Sequence, residues 1–119
     1  MNIAMSEQKI NDERYIVVTL QGRITALHAP TLREQFLLFV AQGVKHFVLD
    51  LSQVEFMDSA GLATFVSLLK QAQREGGEAK MILPKSEAAQ RILRLTRFDK
   101  IFPIAETVEA ALQIEDIRR

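Results

Sequence analysis

The sequence predicts an α/β fold on three observations. Segments rich in β-branched and aromatic residues alternate along the chain with segments of helical periodicity. Glycine, proline or a capping residue stands at most boundaries between these segments. The chain has 119 residues, 48% hydrophobic and 25% charged, which is the size and balance of one globular domain. We therefore expect a single domain over residues 1–119, with a mostly parallel sheet and about four helices.

The first two strands are expected to form an antiparallel hairpin. Residues 15–20 are rich in β-branched and aromatic side chains and end near Gly22, which predicts a strand followed by a turn. Turn-forming residues 11–13 precede this strand. Residues 5–10 are therefore predicted to be its antiparallel partner.

A helix and a central strand are predicted next. Pro30 suits the first helical position, and apolar residues follow it at helical spacing until Gly43 closes the segment. Residues 46–51 carry little polarity on either side, as expected of a strand buried on both faces. A second helix is expected to begin after Asp58 and to extend to about Arg74.

The C-terminal half repeats this alternation. A strand over residues 79–83 precedes a helix that begins near Ser86. Residues 101–105 include a proline, which cannot donate to a ladder, so this short segment is expected at a sheet edge or at a strand end. Thr107 is suited to cap a last helix.

Composition excludes several classes of function. Lysine plus arginine equals aspartate plus glutamate at 15 each, so the basic excess needed for nucleic acid is missing. The chain has no cysteine, and His28 and His46 lie on different elements, in exposed or capping roles, so no metal or cofactor is expected. No apolar run approaches the roughly 20 residues that span a bilayer, and residues 1–10 lack signal-peptide character. A cytoplasmic protein without membrane insertion is expected.

The segment richest in functional information is Asp58-Ser59-Ala60-Gly61-Leu62, at the start of the second helix. A serine there lies beside backbone N–H groups without intrahelical partners and near the positive end of the helix dipole, which suits an anionic phosphate. Asp58 can cap the helix and leave the Ser59 hydroxyl free, and Gly61 leaves room for a partner to approach. Plain capping by either residue is the structural alternative.

Residues 48–62, together with the element order and the chain length, resemble the STAS domain of bacterial anti-sigma factor antagonists. That family has a hydrophobic strand ending in Asp-Leu, then Asp-Ser-(Ser/Ala/Thr)-Gly-Leu at a helix start. The resemblance implies that an anti-sigma factor, itself a serine kinase, binds here and phosphorylates Ser59. It also implies that the unphosphorylated form releases a sigma factor and that a metal-dependent phosphatase regenerates it. The chain would be a binding protein and a kinase substrate, not an enzyme.

The resemblance further implies a partner-binding surface over residues 58–62, with Met57 beside it either as an apolar contact or facing the core. A second family feature, Gly-x-(Leu/Ile)-Asp, stands here as Gly22-Arg23-Ile24-Thr25, so threonine replaces the aspartate. Thr25 and Arg23 therefore change the charge of the pocket beside Ser59. A turn residue without a role in binding is the alternative for Thr25.

Two other classes of function stay open. The threonine at position 25 motivates a non-switching subunit of a lipid-transport ATPase or of a stress-sensing scaffold. The phosphate affinity of a helix start suggests a nucleotide-hydrolysing enzyme. The enzyme is the weaker hypothesis, because the sequence offers no phosphate loop and no nucleophile-base pair.

Overall fold

The computed structural model describes residues 1–117, with side chains up to residue 112. Five strands and four α-helices follow one another within that range, with a short 3-10 turn at Phe98–Lys100. Their bounds in chain order are β1 (Asn2–Ile10), β2 (Glu13–Ile24), α1 (Ala29–Ala41), β3 (His46–Met57), α2 (Ser59–Arg74), β4 (Glu78–Ile82), α3 (Glu87–Thr96), β5 (Ile104–Ala105) and α4 (Val108–Ile117).

The strands form one mixed sheet in the order β1-β2-β3-β4-β5. The β1 and β2 strands pair antiparallel, and all further pairs are parallel. Asn11 and Asp12 join the hairpin with φ of 52° and 67°, the left-handed backbone that two-residue hairpin turns prefer. The predicted α/β architecture with an N-terminal antiparallel hairpin is therefore confirmed.

The helices bury both faces of the sheet. The larger core lies on the face toward α1, α2 and α3, where Phe36, Phe47 and Phe65 form an aromatic group. A smaller cluster packs on the opposite face against α4 and includes Val17 and Val48. Side chains that alternate along β2 and β3 belong to opposite clusters, as the period of a strand requires. The prediction that β3 is buried on both faces is confirmed in its first half.

Three strands are longer than the sequence predicted: β1 begins at Asn2 instead of residue 5, and β2 and β3 are extended at their carboxyl ends. The turn expected at Gly22 is wrong, because β2 continues to Ile24 through a register irregularity in which Gly22 has a φ of 86°. An irregularity of this kind bends a strand without ending it. The β3 strand also continues past Leu51 to Met57, and Met57 pairs with Ile24 of β2. These extensions carry the sheet to the edge of the segment that begins at Asp58.

His46 also differs from its prediction. Its ring is buried and stacks on Tyr15 with centroids 4.5 Å apart, and its Nε2 atom hydrogen-bonds the Glu13 carboxylate. The exposed or capping role expected for it is therefore wrong. His28 occupies the N-cap position of α1, but its side chain makes no capping hydrogen bond to the helix. Within residues 1–117, none of the helices combines the length and the apolar composition that a bilayer crossing requires.

Candidate functional site

Asp58 joins the start of α2 to the loop that follows β2. Its Oδ1 atom accepts a hydrogen bond from the backbone N–H of Gly61 at 2.8 Å, which is the N-cap bond of the helix. Its Oδ2 atom accepts from the backbone N–H of Ala26 at 3.0 Å. The backbone N–H of Asp58 itself donates to the Ile24 carbonyl at 3.1 Å. One half-buried carboxylate therefore caps the helix and fixes the neighbouring loop.

Ser59 is the first residue of α2, and its side chain is exposed. The cap of this helix is Asp58, as the sequence predicted, so the capping function does not require the Ser59 hydroxyl. The first backbone N–H groups of a helix carry a partial positive charge that favours an anion nearby. Ser59 therefore presents an exposed hydroxyl at the start of α2, beside the first N–H groups of the helix and next to the Asp58 carboxylate.

Gly61 allows α2 to touch the end of β2. A Cβ atom on Gly61 would lie 2.8 Å from the Ile24 carbonyl oxygen and 3.0 Å from the Ile24 Cγ2 atom. The sequence interpretation left this space for an approaching partner. That interpretation is wrong, because the neighbour that needs the space is Ile24 of the same chain, and Gly61 is buried. The glycine instead brings the helix start, and Ser59 with it, close to the sheet.

Met57 and Leu62 support the site from inside. Both side chains have 0% exposure and belong to the main core. From the sequence, the whole segment, including these two side chains, was expected to contact a partner. Their burial does not fit a direct contact. Met57 faces the core, which was the alternative given for it. Ala60 is half-buried. The accessible part of the segment is therefore Ser59, with smaller contributions from Asp58 and Ala60.

Residues 25–28, here called the 25–28 turn, lie beside Asp58 and connect β2 to α1. The Thr25 hydroxyl accepts a hydrogen bond from the backbone N–H of Leu27 at 3.3 Å, and the Thr25 carbonyl accepts from the N–H of His28 at 2.9 Å. The Thr25 N–H donates to the His28 Nδ1 atom at 3.1 Å. Hydroxyl groups stabilise turns through such local bonds, as aspartate carboxylates do. Thr25 therefore organises the turn.

Leu27 is the feature of this site that sequence reasoning missed. Among the large hydrophobic side chains that the structure describes, it has the highest exposure, 87%. The available signal was a leucine between a predicted strand and a predicted helix, outside the apolar periodicity of both. Such a residue has no assigned place in the core.

Arg23 extends the site along the sheet. Its guanidinium carbon lies 4.5 Å from the centroid of the Phe56 ring, which is a cation–π contact. The register of the parallel strands pairs Arg23 with Phe56, two residues before Asp58. Because Arg23 is exposed, it adds a positive charge to this end of the sheet.

Two other kinds of site, a metal centre and a cleft, were sought in the described part of the chain. Among the side chains that the structure describes, those of residues 1–112, no group of three or more histidine, cysteine, aspartate and glutamate residues could hold a metal. A cleft of about 520 Å³ opens beside the middle of β3 and the carboxyl ends of β4 and β5, and its lining includes Asp50, Lys85, Gln90 and Thr107. None of the predicted site residues lines this cleft. The predicted residues of the helix start lie around Asp58 with the turn that follows Thr25, and Arg23 lies beside them over Phe56.

Comparison with known proteins gives one consistent result. Residues 6–111 match the family model described as the STAS domain. The chain is 32% identical to the anti-sigma-B factor antagonist of Bacillus subtilis (strain 168) over 113 residues. This alignment covers 95% of this chain and 100% of that protein. It superposes on the crystal structure of an anti-sigma factor antagonist from Mycobacterium paratuberculosis with a TM-score of 0.75 and 29% identity, covering 99% and 96% of the two chains. A Thermotoga maritima crystal structure matches with a TM-score of 0.78 and 28% identity, covering 97% and 95%.

Proposed function

The chain belongs to the STAS domain family, and on that basis we propose that it is an anti-sigma factor antagonist whose partner surface centres on Ser59. The unphosphorylated form binds an anti-sigma factor, which then releases its sigma factor. Phosphorylation of Ser59 ends this binding. The observation that supports the switch is the exposed Ser59 at the first position of α2, next to an aspartate that already caps the helix.

The physical basis of the switch is charge. A phosphate on Ser59 adds about −1.5 to −2 charges at neutral pH. It would stand next to the Asp58 carboxylate, on a surface that binding must desolvate. A cost of about 3 kcal/mol in the complex lowers the affinity more than a hundredfold. One hydroxyl group is therefore enough to control the complex.

The partners follow from this scheme. The anti-sigma factor acts as the serine kinase, so it both binds the chain and modifies Ser59. A metal-dependent phosphatase restores the unphosphorylated form. The chain acts by binding and serves as a substrate of both partners. We propose that residues 1–119 belong to a single domain, and the family match over residues 6–111 supports this proposal.

The alternative, a non-switching subunit of a lipid-transport ATPase or of a stress-sensing scaffold, rests on Thr25. The alternative was motivated by threonine standing where the family has aspartate. The hydroxyl and the carbonyl of Thr25 accept hydrogen bonds that hold the 25–28 turn in place, so the replacement does not by itself favour the alternative. Co-purification separates the two functions. Capture of a transporter ATPase from the native cell, with no kinase-like protein, would favour the alternative.

Phosphate transfer tests the proposal directly. Incubation with the cognate anti-sigma factor, ATP and Mg²⁺ is expected to add one phosphate, measured by intact mass, and Ser59→Ala is expected to abolish the addition. Ser67→Ala is the matched control, because Ser67 is an exposed serine further along the same helix. Equal labelling of Ser59→Ala and the native chain would show that the assigned site is wrong.

A further inference from the structure

Leu27 is exposed in an unusual setting. Isolated exposed leucines are common on protein surfaces, and Leu38 on α1 and Leu95 on α3 are others in this chain. Those two lie on helices, where the hydrogen-bond pattern of the helix fixes the backbone. Leu27 lies in a four-residue connection between a strand and a helix, where mobility is the ordinary expectation.

The backbone around Leu27 is nevertheless fixed by hydrogen bonds on both sides. Three consecutive N–H groups, those of residues 26, 27 and 28, donate to the Asp58 Oδ2 atom, the Thr25 hydroxyl and the Thr25 carbonyl at 3.0, 3.3 and 2.9 Å. An apolar side chain on a backbone that is already ordered loses little conformational entropy when it enters a pocket. Leu27 is therefore prepared for burial against another molecule.

The 25–28 turn is continuous with the Ser59 surface. Asp58 accepts from Ala26 on one side and from Gly61 on the other, so a single carboxylate sets the position of the turn relative to the start of α2. Ser59 follows Asp58 directly, and Leu27 follows Ala26 directly. A protein bound over the Ser59 hydroxyl would therefore have the 25–28 turn, and Leu27 with it, beside its contact surface.

We propose that Leu27 is an apolar anchor that enters a hydrophobic pocket of the anti-sigma factor, with Asp58 as the residue that positions it beside Ser59. This inference rests on the proposed function and adds to it the chemistry of the partner's contact surface. Binding anchors are buried at the centre of an interface and carry much of its affinity, whereas charged groups at the rim mainly affect association rates. In this scheme Arg23, which is exposed over Phe56, would be such a rim group.

The test measures binding of the purified cognate anti-sigma factor by titration calorimetry. Leu27→Ala is expected to weaken binding about tenfold or more, whereas Leu27→Met is expected to keep most of the affinity, because it keeps the apolar volume. Leu38→Ala is the matched control. Leu38 is also exposed, and it lies nine residues, or about 13 Å, along α1 from the helix start at Ala29. Its replacement is expected to leave binding unchanged.

The outcomes separate this inference from the proposed function. If the native chain does not bind the anti-sigma factor, the proposed function fails and the inference with it. If the native chain binds and Leu27→Ala binds equally well, only the Leu27 inference is overturned, and equal losses for Leu27→Ala and Leu38→Ala overturn it too. Because Leu27 is 87% exposed, its alanine variant is expected to unfold at the same temperature as the native chain, which excludes misfolding as the cause of weaker binding.

Discussion

Replacing Asp58 with alanine tests whether this side chain holds two elements together. The substitution removes the acceptor for the Gly61 N–H at the start of α2 and the acceptor for the Ala26 N–H in the 25–28 turn. Thr107 provides the matched control within the same chain. Its hydroxyl caps α4 with one hydrogen bond, from the Ala110 N–H at 3.0 Å, and makes no second bond to a separate loop among those that the structure describes.

The expected magnitudes follow from the number of bonds. Loss of one N-cap costs about 1 kcal/mol, so Thr107→Ala is expected to lower the free energy of unfolding by that amount. Asp58→Ala loses the same kind of cap and a second bond to a charged acceptor, which contributes about 1.5 kcal/mol in a half-buried setting. The sum is about 2.5 kcal/mol, and for a domain of this length it lowers the melting temperature by about 10 °C.

Urea denaturation of the native chain, Asp58→Ala, Thr107→Ala and Ser59→Ala measures these differences. Ser59→Ala is expected to stay within about 0.5 kcal/mol of the native chain, because an exposed residue that is not the cap contributes little to stability. If Asp58→Ala costs no more than Thr107→Ala, the bond to Ala26 does not stabilise the fold. Asp58 would then be an ordinary helix cap.

Two further perturbations probe the packing and the electrostatics. Gly61→Ala is expected to lower the free energy of unfolding by about 1 to 2 kcal/mol in urea denaturation. The added methyl group clashes with Ile24, and this cost exceeds the gain of about 0.5 to 1 kcal/mol from removing a helical glycine. A more stable variant would show that α2 can move away from β2 freely. Hydrogen bonds from Arg14 lower the pKa of Glu7 from its ordinary 4.5, so the contribution of this exposed pair is present at neutral pH and is lost as the pH falls through the lowered value. Glu7→Gln is accordingly expected to flatten the acid limb of the stability profile slightly, and an unchanged limb would refute the pairing.

The element order and the helix cap were predictable from the sequence because they depend on local signals. Strand propensity, helical periodicity and the aspartate before Ser59 act within a few residues of one another. The extension of β2 through Gly22 was not predictable in this way. A glycine with positive φ suggests a turn, but here the pairing with β3 continues beyond it, and that pairing depends on residues far along the chain.

The site was predictable in its centre and not at its edges. Ser59 and Asp58 take the positions that their residue types suggested. The burial of Met57 and the close contact of Gly61 with Ile24 depend on which strand lies beside them, and a pattern of residue types does not contain that information. Leu27 was missed for the same reason. Its proposed role depends on the bond between Asp58 and Ala26, two residues that are 32 positions apart.

The most direct test of the proposed switch compares the affinity of the anti-sigma factor for two forms of this chain, unphosphorylated and phosphorylated at Ser59. Both forms can be prepared from one purified sample and separated by their charge. The proposed switch predicts that the unphosphorylated form binds and that the phosphorylated form binds more than a hundredfold more weakly, which corresponds to about 3 kcal/mol. Equal affinity of the two forms would contradict the proposal that Ser59 controls the complex.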